Sequence, residues 1–243
     1  MIDKRKFYIN GNWVNPNSIN DLDVINPSNE EAYAVISLGS KKDVDIAVKA
    51  AKEAFISWSQ VDKKIKINLL ENLLDVYNSR WDEITDTMSK EMGAPLDWSS
   101  SAQTSSGFDH IKDFIKRLRD FEFEKKFDNN SNNYIAYEPI GVCGLITPWN
   151  WPINQITLKV IPALATGCTM ILKPSEIAPL SGMIFAEIID ESGFPAGVFN
   201  LINGDGAGVG TDLSNHSDID MISFTGSTRA GKLISKNAAD TIK

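Results

Sequence analysis

Apolar positions change their spacing part-way along the chain. Near the start, Phe7-Tyr8-Ile9 and Trp13-Val14 flank Asn10-Gly11-Asn12, which predicts two short strands around an Asn-Gly turn. Asn26-Pro27 marks a second turn, and Ala34-Val35-Ile36 a further strand. Ser40 followed by Asp43 has the pattern of a helix N-cap with an acidic first turn. Val44, Ala47, Val48, Ala51 and Phe55 then recur at helical spacing over about 43–58. Ile65, Leu69, Leu73, Val76 and Tyr77 form the stripe of a second helix over about 62–92, ended by Gly93-Ala94-Pro95. A third, Ser-rich helix is expected over 96–119. Residues 122–133 are polar and read as a loop, with 134–137 as an exposed strand.

From residue 142 the pattern becomes regular. Four apolar runs (142–146, 169–172, 198–202 and 219–224) each lead into a turn and a helical stretch, the helices falling near 153–165, 179–192, after 206 and from 227. Repeated strand-then-helix units predict a parallel sheet with helices on both faces, an α/β doubly wound architecture. Such sheets bind ligands beyond the carboxyl ends of their strands. Those ends read Thr147-Pro148-Trp149-Asn150, Lys173-Pro174-Ser175-Glu176, Asn203-Gly204-Asp205-Gly206 and Phe224-Thr225-Gly226-Ser227. Turn-forming Pro and Gly alternate there with an indole, an amide, an ammonium, a carboxylate and hydroxyls.

Composition narrows the partners. With 24 Lys+Arg against 32 Asp+Glu, the formal charge is −8, and no basic stripe offers a surface to nucleic acid or an anionic membrane. No apolar run is long enough for a signal peptide core or a membrane span. Two cysteines, Cys143 and Cys168, make no disulfide framework, and a cytoplasmic location fits them. His110 and His216 are single and far apart, so no metal site is expected.

Each strand end admits two readings. Gly226-Ser227-Thr228 offers a helix N-terminus to a phosphate, or Ser227 simply caps the helix. Glu176 can accept from ribose hydroxyls and repel a 2′-phosphate, or it can pair with Lys173 in solvent. Asn150 can donate to an oxyanion or cap a helix. Gly204, Gly206, Gly208 and Gly210 allow close backbone approach but do not spell G-x-G-x-x-G. Gly226–Lys232 matches the start of a P-loop, as in a phosphotransferase. Leu233, however, stands where the magnesium-binding hydroxyl would be.

Taken together, Thr147-Pro148-Trp149-Asn150-Trp151-Pro152, Lys173-Pro174-Ser175-Glu176 and Phe224-Thr225-Gly226-Ser227, in this order and at these intervals, resemble the aldehyde dehydrogenase superfamily. The resemblance extends over essentially the whole chain. It implies a Rossmann-like NAD-binding domain over 1–243, with about 122–140 belonging to an oligomerisation arm that forms homodimers or tetramers. It implies NAD rather than NADP as cofactor, and an aldehyde as substrate. By the same resemblance, Ile146, Thr147, Pro148, Trp149 and Asn150 contact the cofactor, with Asn150 also the oxyanion amide. Lys173 and Glu176 hold the adenosine ribose, Gly206 and Gly210 lie near the adenine, Gly226 and Ser227 meet the pyrophosphate, and Ser175, Phe224 and Thr225 are further cofactor contacts. Lys159 matches a proton-relay lysine. The family's nucleophilic cysteine and base glutamate belong to sequence beyond residue 243, the glutamate on the strand that would come next, and the catalytic domain is expected to be absent here. The expectation is therefore a cofactor-binding half that does not oxidise aldehydes alone, the alternative being a non-catalytic NAD-binding or assembly module. Cys143 and Cys168, inside apolar runs with no His, Lys or Arg beside them in sequence, are expected to be buried structural thiols.

Overall fold

A computed structural model describes residues 1–128 and 132–243. After a short β1 (Ile2–Asp3), β2 (Phe7–Ile9) and β3 (Asn12–Val14) form the expected hairpin. Asn10 and Gly11 take φ of 52° and 72°, the left-handed pair that a two-residue turn between twisted strands requires. β4 (Asp21–Asn26) pairs antiparallel with β5 (Glu31–Ser37), and β1 joins the other edge of β5 in parallel. β4 was not expected from the sequence: only Val24 within it is fully buried, too little to stand out as an alternating run.

α1 (Lys41–Trp58) starts as its capping signal predicts, with Asp43 accepting from the Ser40 backbone N–H at 2.8 Å. The single helix expected over 62–92 is instead two, α2 (Lys63–Ser79) and α3 (Trp81–Met92). Arg80 leaves the helical region at φ −103°, ψ 18°, and its guanidinium is held by Glu83, Glu187 and Glu191. These partners are mostly distant in sequence, and neither Pro nor Gly marks the break. Gly93, at φ 76°, ends α3 in the left-handed cap its position predicted. The third helix is composite: α4 (Leu96–Trp98), a π-helical turn (Ser99–Thr104) and α5 (Ser105–Asp120).

The polar stretch expected as a loop contains β6 (Glu124–Lys126), which pairs antiparallel with β7 (Tyr134–Ala136). All three β6 side chains are exposed, so no apolar alternation betrays the strand. Residues 129–131 of that expected loop lie outside the described residues.

The remaining elements follow the predicted alternation. They are β8 (Val142–Ile146), α6 (Pro152–Thr166), β9 (Thr169–Lys173), α7 (Leu180–Glu191), β10 (Phe199–Leu201), α8 (Val209–Asn215), β11 (Met221–Phe224) and α9 (Thr228–Ala238). They build a six-stranded sheet of order β11-β8-β9-β10-β2-β3, parallel from β11 to β10 and closed at one side by the antiparallel hairpin. Cys143, Leu145, Met170 and Leu172 face α6 and α7 on one side; Val142, Ile146 and Ile171 face α1 and α8 on the other. Burial on both faces explains why β8 and β9 read as unbroken apolar runs. The chain runs from β8 outward through β9 and β10, then returns to place β11 on the opposite side of β8. The strand order therefore reverses between β8 and β11, the crevice where doubly wound sheets take ligands. No helix among the described residues is long and apolar enough to cross a membrane.

Candidate cofactor site

The chain leaves β8 through Ile146 and Thr147, both buried, and emerges at Pro148, Trp149 and Asn150, the last two exposed. Thr147 N–H donates to the Lys173 carbonyl at 3.2 Å, and Thr225 N–H to the Ile146 carbonyl at 3.1 Å, so the ends of β8, β9 and β11 are tied to one another. Asn150 does not cap α6: that helix opens at Pro152, with Trp151 at the cap position and no side-chain capping bond. The capping alternative for Asn150 is thus set aside, and the residue is exposed just beyond the end of β8.

At the end of β9, Lys173 is buried and its Nζ lies 3.1 Å from Glu176 Oε2. The Lys173 side chain is 4% exposed and that of Glu176 is 31%, so this is not the solvated ion pair of the plainer reading. Ser175, also buried, accepts from the Ile177 N–H and shapes the turn between them.

The glycine loop after β10 is fastened by Asp205. Its carboxylate accepts from the Gly208 N–H at 2.6 Å, and its carbonyl from the Gly210 N–H at 3.0 Å. A Cβ at Gly206 would meet nothing within 4 Å, whereas Gly210 is buried in the first turn of α8. The loop is exposed at Gly206 and Ala207, and α8 beyond it packs on α9.

At the end of β11, Phe224 and Thr225 are half-buried and Gly226 and Ser227 exposed. Ser227 does cap α9, its Oγ accepting from the Ala230 N–H at 3.2 Å. One of the helix's unpaired N–H groups is satisfied in this way, and the positive end of α9 still faces the crevice. The P-loop resemblance fails on geometry: α9 begins at Thr228, so the segment through Lys232 is mostly helix, not a phosphate-cradling loop.

Lys159, on α6, reaches across to β11. Its Nζ donates to Thr225 Oγ1 at 2.8 Å and Ser223 Oγ at 3.2 Å, and burial lowers its pKa from the ordinary lysine value. Ser223 was not singled out from the sequence, since only strand pairing brings it under Lys159. Glu91 and Gln103, both buried polar residues, were missed because their partners on α7 and in the Asn150 loop are distant in sequence.

Cys143 and Cys168 are both free and buried. Their mutual contact pushes the Cys143 thiol up and the Cys168 thiol down, and the fold brings Lys66 near Cys168 although no cation adjoins it in sequence. At 0% and 4% exposure, neither thiol faces the crevice as a nucleophile would.

Comparison with known proteins decides the lineage, since the aldehyde dehydrogenase family matches over residues 13–243. The chain belongs to the aldehyde dehydrogenase family. It is 50% identical, over its whole length, to 3-succinoylsemialdehyde-pyridine dehydrogenase from Pseudomonas sp, of which it covers 50%. The fold agrees with the crystal structure of aldehyde dehydrogenase from Bartonella henselae at TM-score 0.99 and 57% identity, covering 100% of this chain and 51% of that one. It agrees with an aldehyde dehydrogenase C mutant from Pseudomonas syringae, in complex with NAD+ and octanal, at TM-score 0.96 and 44% identity, covering 98% and 49%. The chain thus spans about half the length of these relatives.

Proposed function

We propose that residues 1–243 form the NAD-binding half of an NAD-dependent aldehyde dehydrogenase and, alone, bind the cofactor without turning it over. The observation that carries this reading is the convergence, at the β8/β11 switch point, of Asn150, the Lys173–Glu176 pair and the open N-terminus of α9. Thr147 Oγ1, past the end of β8, and Asn203 Oδ1, past the end of β10, are buried without a hydrogen-bond partner among the described residues, so the strand ends retain unused polar capacity. These residues fit a dinucleotide. Glu176 with Lys173 would take the adenosine ribose, the α9 N-terminus and Ser227 the pyrophosphate, and Trp149 with Asn150 the nicotinamide end. Gly206 and Gly210 would border the adenine, beside α8. When bound, NAD supplies the hydride acceptor for oxidation of an aldehyde to an acid. This chain's own residues supply orientation: Asn150 presents an amide to developing oxyanion charge, and Lys159 holds a proton within reach of Thr225 and Ser223. A carboxylate at position 176 favours NAD, because a 2′-phosphate would meet like charge.

The β6–β7 ribbon is exposed except at half-buried Ile135 and is rooted in the Phe121, Phe123 and Tyr137 ring cluster. It suits an arm that pairs with a second subunit, and two free buried thiols suit a reducing cytoplasm. The test is to titrate the purified chain with NAD while following tryptophan fluorescence, then to add a panel of aldehydes and follow NADH absorbance. Quenching with a flat NADH trace supports the proposal. No quenching refutes the binding, and turnover removed by Cys143→Ala or Cys168→Ala refutes the division of labour.

A further inference from the structure

The turn at Ser99–Thr104 is π-helical, a wide turn with i→i+5 hydrogen bonding that recurs at functional sites. One side of it is fixed to the helices beneath. Trp81 Nε1–H donates to Ser100 Oγ at 2.9 Å, Ser99 Oγ to the Thr85 carbonyl at 2.7 Å, and the Tyr77 hydroxyl to the Thr104 carbonyl at 2.8 Å. Thr85 and Thr104 hydroxyls meet at 2.8 Å. The other side meets the loop that carries Asn150. Gln103 Nε2 donates to the Asn150 carbonyl at 3.2 Å, and Trp98 packs edge-on against Trp151 with ring centroids 6.2 Å apart.

The spacing explains the turn. In an α-helix, residues five apart point about 140° away from each other. A π turn brings them back toward one side. Trp98 and Gln103 are five apart, and both reach residues 150–151. Gln103 is 2% exposed, and its Oε1 is buried without a partner among the described residues, which is costly unless the amide is needed where it points. Its orientation is set chemically: the Asn150 carbonyl only accepts, so the amide nitrogen must face it.

We propose that the π-helical turn is a positioning device for the Asn150 loop, with Gln103 as the positioning residue and Trp98 as its second grip. It acts through the backbone of Asn150 and does not itself touch ligand. The connection to cofactor rests on the reading that this loop contacts NAD.

Two readouts separate the claims. Amide hydrogen exchange over residues 149–151 reports loop order with no ligand present, and NAD titration reports its consequence. Gln103→Leu and the exposed-site variant Trp98→Ala are each expected to speed exchange across this segment. Each should also weaken NAD about three- to tenfold, the range that loss of one hydrogen bond or ring contact carries, with an unchanged melting profile elsewhere. Gln103→Glu gives a signature that packing alone would not. Ionised, the carboxylate cannot donate to the Asn150 carbonyl; protonated, it can. NAD binding by Gln103→Glu should therefore recover at pH 5 relative to pH 8, while Gln103→Leu shows no such recovery. Unchanged exchange in both Gln103→Leu and Trp98→Ala would overturn the proposal, as would a pH response shared equally by Gln103→Glu and Gln103→Leu. If the unaltered chain fails to bind NAD, the functional reading falls, and the exchange measurement alone still decides whether Gln103 positions the loop.

Discussion

The carboxylate of Glu91, at the end of α3, accepts from the backbone N–H of Leu180 at 2.6 Å and that of Ser181 at 3.0 Å. It closes the N-terminus of α7 from a distance of roughly ninety residues in sequence, and it is fully buried. Burial outweighs these two bonds and holds its pKa up, at about 7 against an ordinary 4.5. The folded chain therefore binds this proton more tightly than the unfolded chain does. Stability is greatest where both states are protonated and falls as pH rises between the two values. Urea unfolding at pH 5 and pH 8 should show a loss on the order of 3 kcal/mol from this group. Glu91→Gln should flatten that slope; an unchanged slope would show that Glu91 does not carry it.

Tyr77 and Gly107 should be coupled. A Cβ at Gly107 would collide with the Tyr77 hydroxyl, which donates to the Thr104 carbonyl. Gly107→Ala is expected to destabilise by about 1–3 kcal/mol through overpacking, despite the better helix propensity of alanine. In a Tyr77→Phe background the same change should cost less, because the hydroxyl is gone. A double-mutant cycle by chemical denaturation measures the difference, and strict additivity would refute the contact.

Lys159 offers an asymmetry. Lys159→Met removes a half-buried ammonium together with its desolvation cost and should change stability by less than about 1 kcal/mol. The double change Ser223→Ala and Thr225→Val removes both acceptors and strands the charge, at a cost of about 2–3 kcal/mol. Thermal unfolding of the two proteins side by side tests the ordering.

Glu176→Gln keeps an acceptor beside Lys173 but removes the charge. NAD should bind about tenfold more weakly, the scale of one charge-assisted bond, while NADP should gain relative to NAD. Fluorescence titration with each cofactor reads the ratio; no change in preference would remove Glu176 from cofactor selection.

Both thiols should resist Ellman's reagent in the native chain and react together once denaturant is added, since Cys143 and Cys168 share one core. Rapid labelling of Cys168 before unfolding would show that the Lys66 side of the core opens.

Local chemistry was readable wherever it acts over a few residues. The Asn10-Gly11 turn, the Ser40–Asp43 cap, the Gly93 stop and the four strand-then-helix units all depend on backbone preference and periodicity. These are properties of adjacent residues. The strand ends that make up the candidate site were readable too, because each closes an apolar run and opens onto a helix.

What the sequence could not determine lies in contacts between distant residues. The break at Arg80 depends on carboxylates from α7, the strand character of Glu124–Lys126 on pairing with β7, and the N-terminus of α7 on Glu91. Whether Lys173 and Glu176 formed a solvated pair or a buried one depended on how the sheet covered them. Gln103 offered no local sign at all, since a glutamine in a polar helix becomes a hydrogen-bond donor to Asn150 only when a π turn and a strand end are brought together. Periodicity is a short-range signal and survives in one dimension. Burial and partner choice are set by the packing of whole elements, and only the tertiary structure decided them.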